Sequence, residues 1–405
     1  MPTNRGFLGG LWHGAFLALG MALTHPTTVI AAFVSDLTGS TVWVGGLSTV
    51  LTVAAALPQV FVARWIEPRP RKIPFLLFAV YVRVASWFAL ALLICRFGES
   101  RPEALAWSLV GFLGLFYAVG GLGGVAYTDI IGKVIPPGRR GAFFGGKEAV
   151  AAPLVIGAAL LTRKVLAEVP YPLSYAMLFG LASLALAIAS IGLWLIREPV
   201  DNESSCCVLK WRDYAARVLD ASRQLGPLVA FQLLTGFSLM VLPFYVVFAR
   251  DRLGAPTEAI GWFLLAQVSG GLLGSLAWAR VVDRAGTRRM LTYCAGVSAA
   301  TPTLAVFSQT IGWPALLPVF FLAGAAFAGR RVGFGAAVLE IAPATERPTY
   351  AGVNAMLVLP VAFLPALAGI LLTRWSYNAV FLIAAGFIAV GGFWTRRLPA
   401  VHPER

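Results

Sequence analysis

The chain has 405 residues, 59% of them hydrophobic and only 12% charged, with a formal net charge of +14. A soluble domain carries about 25% charged residues. This composition, gathered into apolar runs of bilayer length, excludes a soluble globular fold and reads as a polytopic membrane protein. The basic residues lie in short loops between the runs, where they report topology rather than a nucleic-acid surface. Four cysteines, two of them the neighbours Cys206 and Cys207, give no disulfide framework.

In chain order, the first apolar run covers 7–35. It is far longer than the core of a cleaved signal and lacks a small-residue exit, so it is expected to stay as a span. His25 precedes Pro26 near its middle, among Thr24, Thr27 and Thr28; the proline predicts a break or kink, and His13 lies nearer the inner end. The next runs are 41–64, 74–96, 103–134, 141–166 and 173–197. Glu67 and Arg71 follow the second. Arg83, inside the third, is expected to pair or snorkel. The fourth holds the small-residue run "GGLGGV" and ends in Asp129 and Lys133; Arg140 opens the fifth, which carries Lys147 and Glu148.

The longest polar interruption, Arg197 to Gln224, divides the chain, and Val208 to Ala221 within it has the pattern of a short amphipathic surface helix. Six more runs follow: 226–249, 257–280, 288–310, 313–341, 349–373 and 377–395. They carry Gln232 in the seventh, Gln267 and the small-residue stripe "SGGLLG" in the eighth, the adjacent Arg330 and Arg331 near the middle of the tenth, Glu340 at its inner end, and Arg347 and Asn354 in the eleventh. Small residues allow helix backbones to approach closely in lipid. Expected domains are therefore 1–197, a cytoplasmic linker 198–225, and 226–405. The Lys and Arg bias puts both termini in the cytoplasm.

The halves repeat. A shift of 207 places Pro136, Arg140, Gly145 and Pro153 on Pro343, Arg347, Gly352 and Pro360; a shift of 216 places Gly45, Ala63, Arg64 and Glu67 on Gly261, Ala279, Arg280 and Asp283. With an even number of spans per half, this is a parallel repeat about an axis along the membrane normal. No phosphate-binding loop, no convincing metal-ligand spacing, and no nucleophile with a base is present in the sequence. ATP-driven transport, a bound cofactor and an enzyme are accordingly not expected.

The stretch "GSLAWARVVDRAGTRRM" (Gly274 to Met290) resembles the signature loop of the major facilitator superfamily, G-x-x-x-D-R-x-G-R-R, through Asp283, Arg284, Gly286, Arg288 and Arg289, with Thr287 inserted. A degenerate copy, "ARWIEPRPRK", offers Glu67, Pro70, Arg71 and Lys72. The resemblance implies an all-α fold of twelve transmembrane helices in two pseudo-symmetric six-helix bundles, with spans 1, 4, 7 and 10 around a central cavity. It implies a secondary transporter working by alternating access. It also implies a cytoplasmic gate in which Asp283 and Glu67 dock on the starts of the fifth and eleventh spans, with Arg71, Asp129, Arg140, Arg284, Arg288, Glu340 and Arg347 completing the charge network.

On that frame, Arg330 or Arg331 would face the cavity, and since adjacent helical residues point about 100° apart, only one can do so squarely. A guanidinium suits a carboxylate or phosphate. The expected substrate is a small organic anion or zwitterion held by His25, Gln267, Arg330, Arg331 and Asn354. Protons are the expected partner, through the titratable His25 and Glu148, and lipid surrounds a monomeric protein of the plasma (inner) membrane. The alternative is proton-driven efflux of lipophilic or cationic drugs, with the arginines structural; "AAPLVIG" resembles an antiporter glycine-proline motif with Ala152 in the glycine's place.

Overall fold

The computed structural model describes residues 2–66, 71–136, 139–199, 211–343 and 346–398. They are almost entirely helical, without a strand, and twelve helical segments are long and apolar enough to cross a membrane: Arg5–Thr38, Thr41–Pro58, Ile73–Phe97, Pro102–Val134, Arg140–Glu168, Leu173–Trp194, Arg217–Leu253, Ala259–Ala285, Thr287–Thr310, Trp313–Ile341, Thr349–Leu371 and Tyr377–Arg397. Each predicted run has its span. The segment expected as an amphipathic surface helix is, from Trp211 on, the start of the helix Trp211–Thr235 that becomes the seventh span.

By internal packing the chain forms two compact units. The first is Met1–Gly39, Val50–Cys206 and Thr257–Trp262; the second is Ser40–Thr49, Cys207–Pro256 and Phe263–Arg405.

Glycine decides where helices touch. In the second unit a Cβ on Gly270 would lie 2.9 Å from Cα of Phe321, one on Gly274 2.8 Å from Cα of Ala325, and one on Gly324 2.9 Å from the carbonyl carbon of Gln267. The eighth and tenth spans thus meet backbone to backbone along the predicted "SGGLLG" stripe. The matched glycines 45 and 261 have the same explanation. Within the second unit a Cβ on Gly45 would fall 2.9 Å from the carbonyl carbon of Pro365, beside the bond from Thr41 Oγ1 to the Gly369 carbonyl at 2.9 Å. Within the first unit one on Gly261 would fall 2.6 Å from the backbone nitrogen of Arg163, whose guanidinium stacks on Trp262.

A second repeat is written in polar chemistry. Tyr175 donates to Asp36 Oδ2 at 2.8 Å in the first unit, and Tyr377 donates to Asp251 Oδ2 at 2.8 Å in the second. Phe33 packs on Tyr175 and Phe179, and Phe248 on Tyr377 and Phe381. Both first helices then stop at a left-handed glycine, Gly39 at φ 60° and Gly254 at φ 62°, where only glycine is unstrained. The sequence carries this as F-x-x-D-x-x-G paired with S-Y-x-x-x-F in each half.

Candidate functional site

Corresponding spans of the two units are broken. The first span runs as Pro2–Leu23, then a π-helical turn Pro26–Ile30, then Ala31–Thr38. Pro26 supplies no N–H, and it holds His25 in an extended conformation (φ −62°, ψ 126°). The His25 carbonyl still accepts from the N–H of Ile30 at 3.1 Å. Its Nδ1 lies 3.2 Å from Thr28 Oγ1 and 3.4 Å from Thr27 Oγ1, and the imidazole is half-buried. The seventh span runs as Trp211–Thr235, Phe237–Val241 and Phe244–Leu253, interrupted at Gly236 and at Pro243. Paired interruptions at matching positions of a repeat, leaving backbone groups open inside the membrane, are where repeated transporters bind solute.

Arg330 belongs to the seventh-span break. Its side chain is buried, donates from Nη1 to Thr235 Oγ1 at 2.9 Å, and lies 4.8 Å from the ring centroid of Phe334. Thr235 in turn donates to the Phe231 carbonyl. Arg331, one residue on, is exposed. Helical geometry therefore divides the pair into one guanidinium that ties helices together and one that is free to meet something else. Among the described residues neither has a carboxylate within ion-pair distance. Of the three glycines flanking the pair, Gly329 fits against Cys294 and Trp278, Gly333 against Leu291 and Met290, and Gly335 faces open space. Asn354 and Gln232 exchange amide hydrogen bonds at 2.7 and 3.4 Å, so these two predicted polar groups are each other's partners. Gln267 is buried at the eighth–tenth crossing.

In the first unit, Glu148 is exposed and sits 3.8 Å from Lys147. Both line a cavity of about 250 Å³ with His13, Arg83 and Tyr127. Arg83 neither pairs with an acid nor snorkels: it lies 4.2 Å from the Phe116 centroid, with Nη2 3.6 Å from the Met21 sulfur.

The expected gate residues divide by unit. Asp129 is held by Lys72 at 2.8 Å and Lys133 at 2.9 Å. Glu198, which sequence reading assigns to the linker, completes this network: Oε2 accepts from the backbone N–H of Lys72 at 2.7 Å and of Ile73 at 3.0 Å, and Oε1 lies 3.6 Å from Lys133. Sequence reasoning missed Glu198, because the helix start it caps lies far away in the chain. Arg140 donates to the carbonyls of Gly132 and Ile135 and so closes the end of the fourth span; Arg71 is exposed. In the second unit Gly286 takes φ 81° between the eighth and ninth spans, as the loop demands. Thr287 donates to Glu340, the counterpart of the Lys72–Asp129 tie, and Arg288 donates to the Arg396 carbonyl at 2.8 Å. Asp283 and Arg284 are exposed. Glu67 and the side chain of Arg347 lie outside the described residues.

The sequence model described as Major Facilitator Superfamily matches residues 228–405. No curated protein matches the chain. Solved structures similar in fold include a mutant of nucleoside transporter NupG (TM-score 0.72, 14% identity, covering 98% of this chain and 100% of that one). A bacterial homologue of iron transporter ferroportin in an inward-facing state is also similar (0.72, 13%, 98% of each chain). A D-xylose–proton symporter is a third (0.62, 15%, 95% and 96%).

Proposed function

We propose that the chain is a secondary transporter of the major facilitator superfamily, whose model matches residues 228–405 and whose fold the similar structures share, and that it carries a small organic anion or zwitterion by alternating access, coupled to protons. The observation that supports this substrate class is Arg331, an exposed guanidinium on a membrane span with no acid beside it among the described residues, next to the break that Arg330 braces. An intramembrane cation without a counter-ion is costly, about 3 kcal/mol on insertion scales, and a negative solute would offset that cost. In this reading Arg331 meets the solute's negative group. His25, Gln267 and Asn354 supply neutral contacts, and His25 and Glu148 carry the proton. The bundles 1–197 and 226–405 rock about the linker 198–225, in a monomer of the plasma (inner) membrane with both termini cytoplasmic. Asp283, Arg284, Arg288, Glu67, Arg71, Asp129, Arg140, Glu340 and Arg347 form the cytoplasmic gate.

The test is uptake into proteoliposomes under an imposed pH gradient, across a panel of carboxylates, amino acids, nucleosides and sugars. Arg331→Ala should bring uptake of the best solute to background. Asp283→Ala should leave binding intact and alter labelling of cytoplasmic cysteine probes. Wild-type uptake by Arg331→Ala would remove the basis for an anionic substrate. A second reading, efflux of lipophilic cations, is favoured by one observation: both contacts of Arg330 are internal, Thr235 and Phe334, as a structural arginine requires. Cation efflux that survives Arg331→Ala would select that reading.

A further inference from the structure

Of the cavity inside the first unit the reading above uses only Glu148 at its rim, and the rest of its lining has a specific chemistry. Three features of the fourth span open it. Gly120 leaves space into which Arg83 settles: a Cβ there would stand 3.4 Å from both the guanidinium carbon and Nε. Gly123 lets the third span close in, with Ala79 Cβ 3.2 Å from where a Cβ would be. Gly124 faces empty space, with nothing within 4 Å of a Cβ. The run "GGLGGV" thus serves an opening as well as a helix contact.

The opening is about 250 Å³, just under the range of about 300–1,000 Å³ typical of drug-sized sites. Its walls are mostly aliphatic: Leu17, Ala18, Leu76, Ala79 and Val80. Two polar atoms on lining residues are buried without a hydrogen-bond partner, Arg83 Nε and Tyr127 Oη. Native proteins rarely leave such donors unmet, and a guanidinium least of all. The stacking on Phe116 and the contact with the Met21 sulfur satisfy the ring face and one Nη but give Nε no acceptor. His13 offers no negative charge: its Nδ1 faces the Ala189 carbonyl at 3.1 Å, which requires Nδ1 to be the donor. The charges around the opening are Arg83, Lys147 and Glu148, and Glu148 is taken by Lys147 at 3.8 Å. One positive charge remains.

We propose that this cavity binds a small, mainly apolar monocarboxylate, its carboxylate at the Arg83 guanidinium and its hydrocarbon part against the aliphatic wall. One carboxylate matches the single uncompensated cation, whereas a phosphate dianion would leave a charge unpaired. An acyl chain of lipid length exceeds the volume. The site is independent of the Arg331 reading: it lies wholly within the first unit, and either can fail alone.

Benzoate is the probe, with benzamide and benzylamine as its neutral and cationic counterparts, on the purified full-length protein in detergent. Binding is read as the shift in Tm and as retention of radiolabelled benzoate. Benzoate should raise Tm in a saturable way, and the other two should not. Arg83→Gln should weaken benzoate binding at least tenfold. Gly124→Leu fills the opening without meeting any atom near its Cβ, so it should keep the wild-type Tm and lose the benzoate shift. Arg331→Ala should retain benzoate binding. The proposal is overturned by the absence of benzoate binding, by an equal response to benzamide, or by binding that persists in both Arg83→Gln and Gly124→Leu. Binding that is lost in Arg331→Ala and kept in Arg83→Gln would also overturn it, since the acid would then sit elsewhere.

Discussion

Replacing Gly270 with valine is expected to abolish recovery of folded protein. At this position the first atom of any side chain would stand 2.7 Å from the carbonyl carbon of Phe321 and 2.9 Å from its Cα, closer than real Cβ atoms approach anything. Overpacking costs about 1–3 kcal/mol when the neighbours are side chains that can rotate away. Here the neighbour is the backbone of the tenth span, which can yield only if two helices separate. They are held together one turn on either side, by Gly274 against Ala325 and Gly324 against Gln267, and by the bond from Trp278 Nε1 to the Ala325 carbonyl at 2.8 Å. A crossing of this kind relies on van der Waals contact, because lipid supplies no hydrophobic drive between helices. The monodisperse peak after detergent extraction should fall about tenfold or more, as a defect of several kcal/mol on a marginally stable fold implies. Gly335→Ala, on the tenth span with nothing within 4 Å, should be recovered like wild type. Equal recovery of Gly270→Val would mean that the two helices are not in contact.

The second large effect is expected from Glu198→Ala. The side chain is 2% exposed and holds the first two backbone N–H groups of the third span while facing Lys133. Removing it strips two helix-terminal donors of their acceptor and takes from Lys133 one of the carboxylates beside it. Loss of one partner from a buried charged pair costs about 3–5 kcal/mol, far more than an exposed pair is worth. A fall in Tm of several degrees should follow, with Glu198→Gln intermediate because one carbonyl oxygen can still accept. An unchanged Tm for Glu198→Ala would show that water replaces the carboxylate at no cost.

How much of this was legible in the sequence depends on the range of each interaction. The twelve spans are a property of local composition, and all twelve stand where hydropathy puts them. The break at Pro26 follows from a missing N–H, the turn at Gly286 from its φ of 81°, and the "SGGLLG" contact from small side chains on one face. The Asp129–Lys133 pair is one helical turn and could be read directly. Glu198 could not, since its partners lie 125 and 126 residues away and nothing in a linear reading couples them. Helix geometry requires Arg330 and Arg331 to point apart, but which of them reaches Thr235, on another span, is not written in the local sequence. Arg83 was expected to find an acid or reach the interface because cations usually do; the glycines of the fourth span, which give it a lodging instead, were read only as helix-packing residues. The F-x-x-D-x-x-G and S-Y-x-x-x-F strings were open to inspection in both halves. Their spacing differs from the shifts that align the signature loops, so those shifts do not bring them into register.

Those strings have a consequence for the integrity of the polypeptide. In each half, the aspartate that accepts the tyrosine's hydrogen bond sits at the end of the opening helix, and the tyrosine at the start of the closing one. Every six-helix set is therefore buttoned from its beginning to its finish by chemistry it owns. Severing the peptide between residues 199 and 211 removes no button, so each of the two pieces, produced together in one cell, should keep its own tyrosine–aspartate bond.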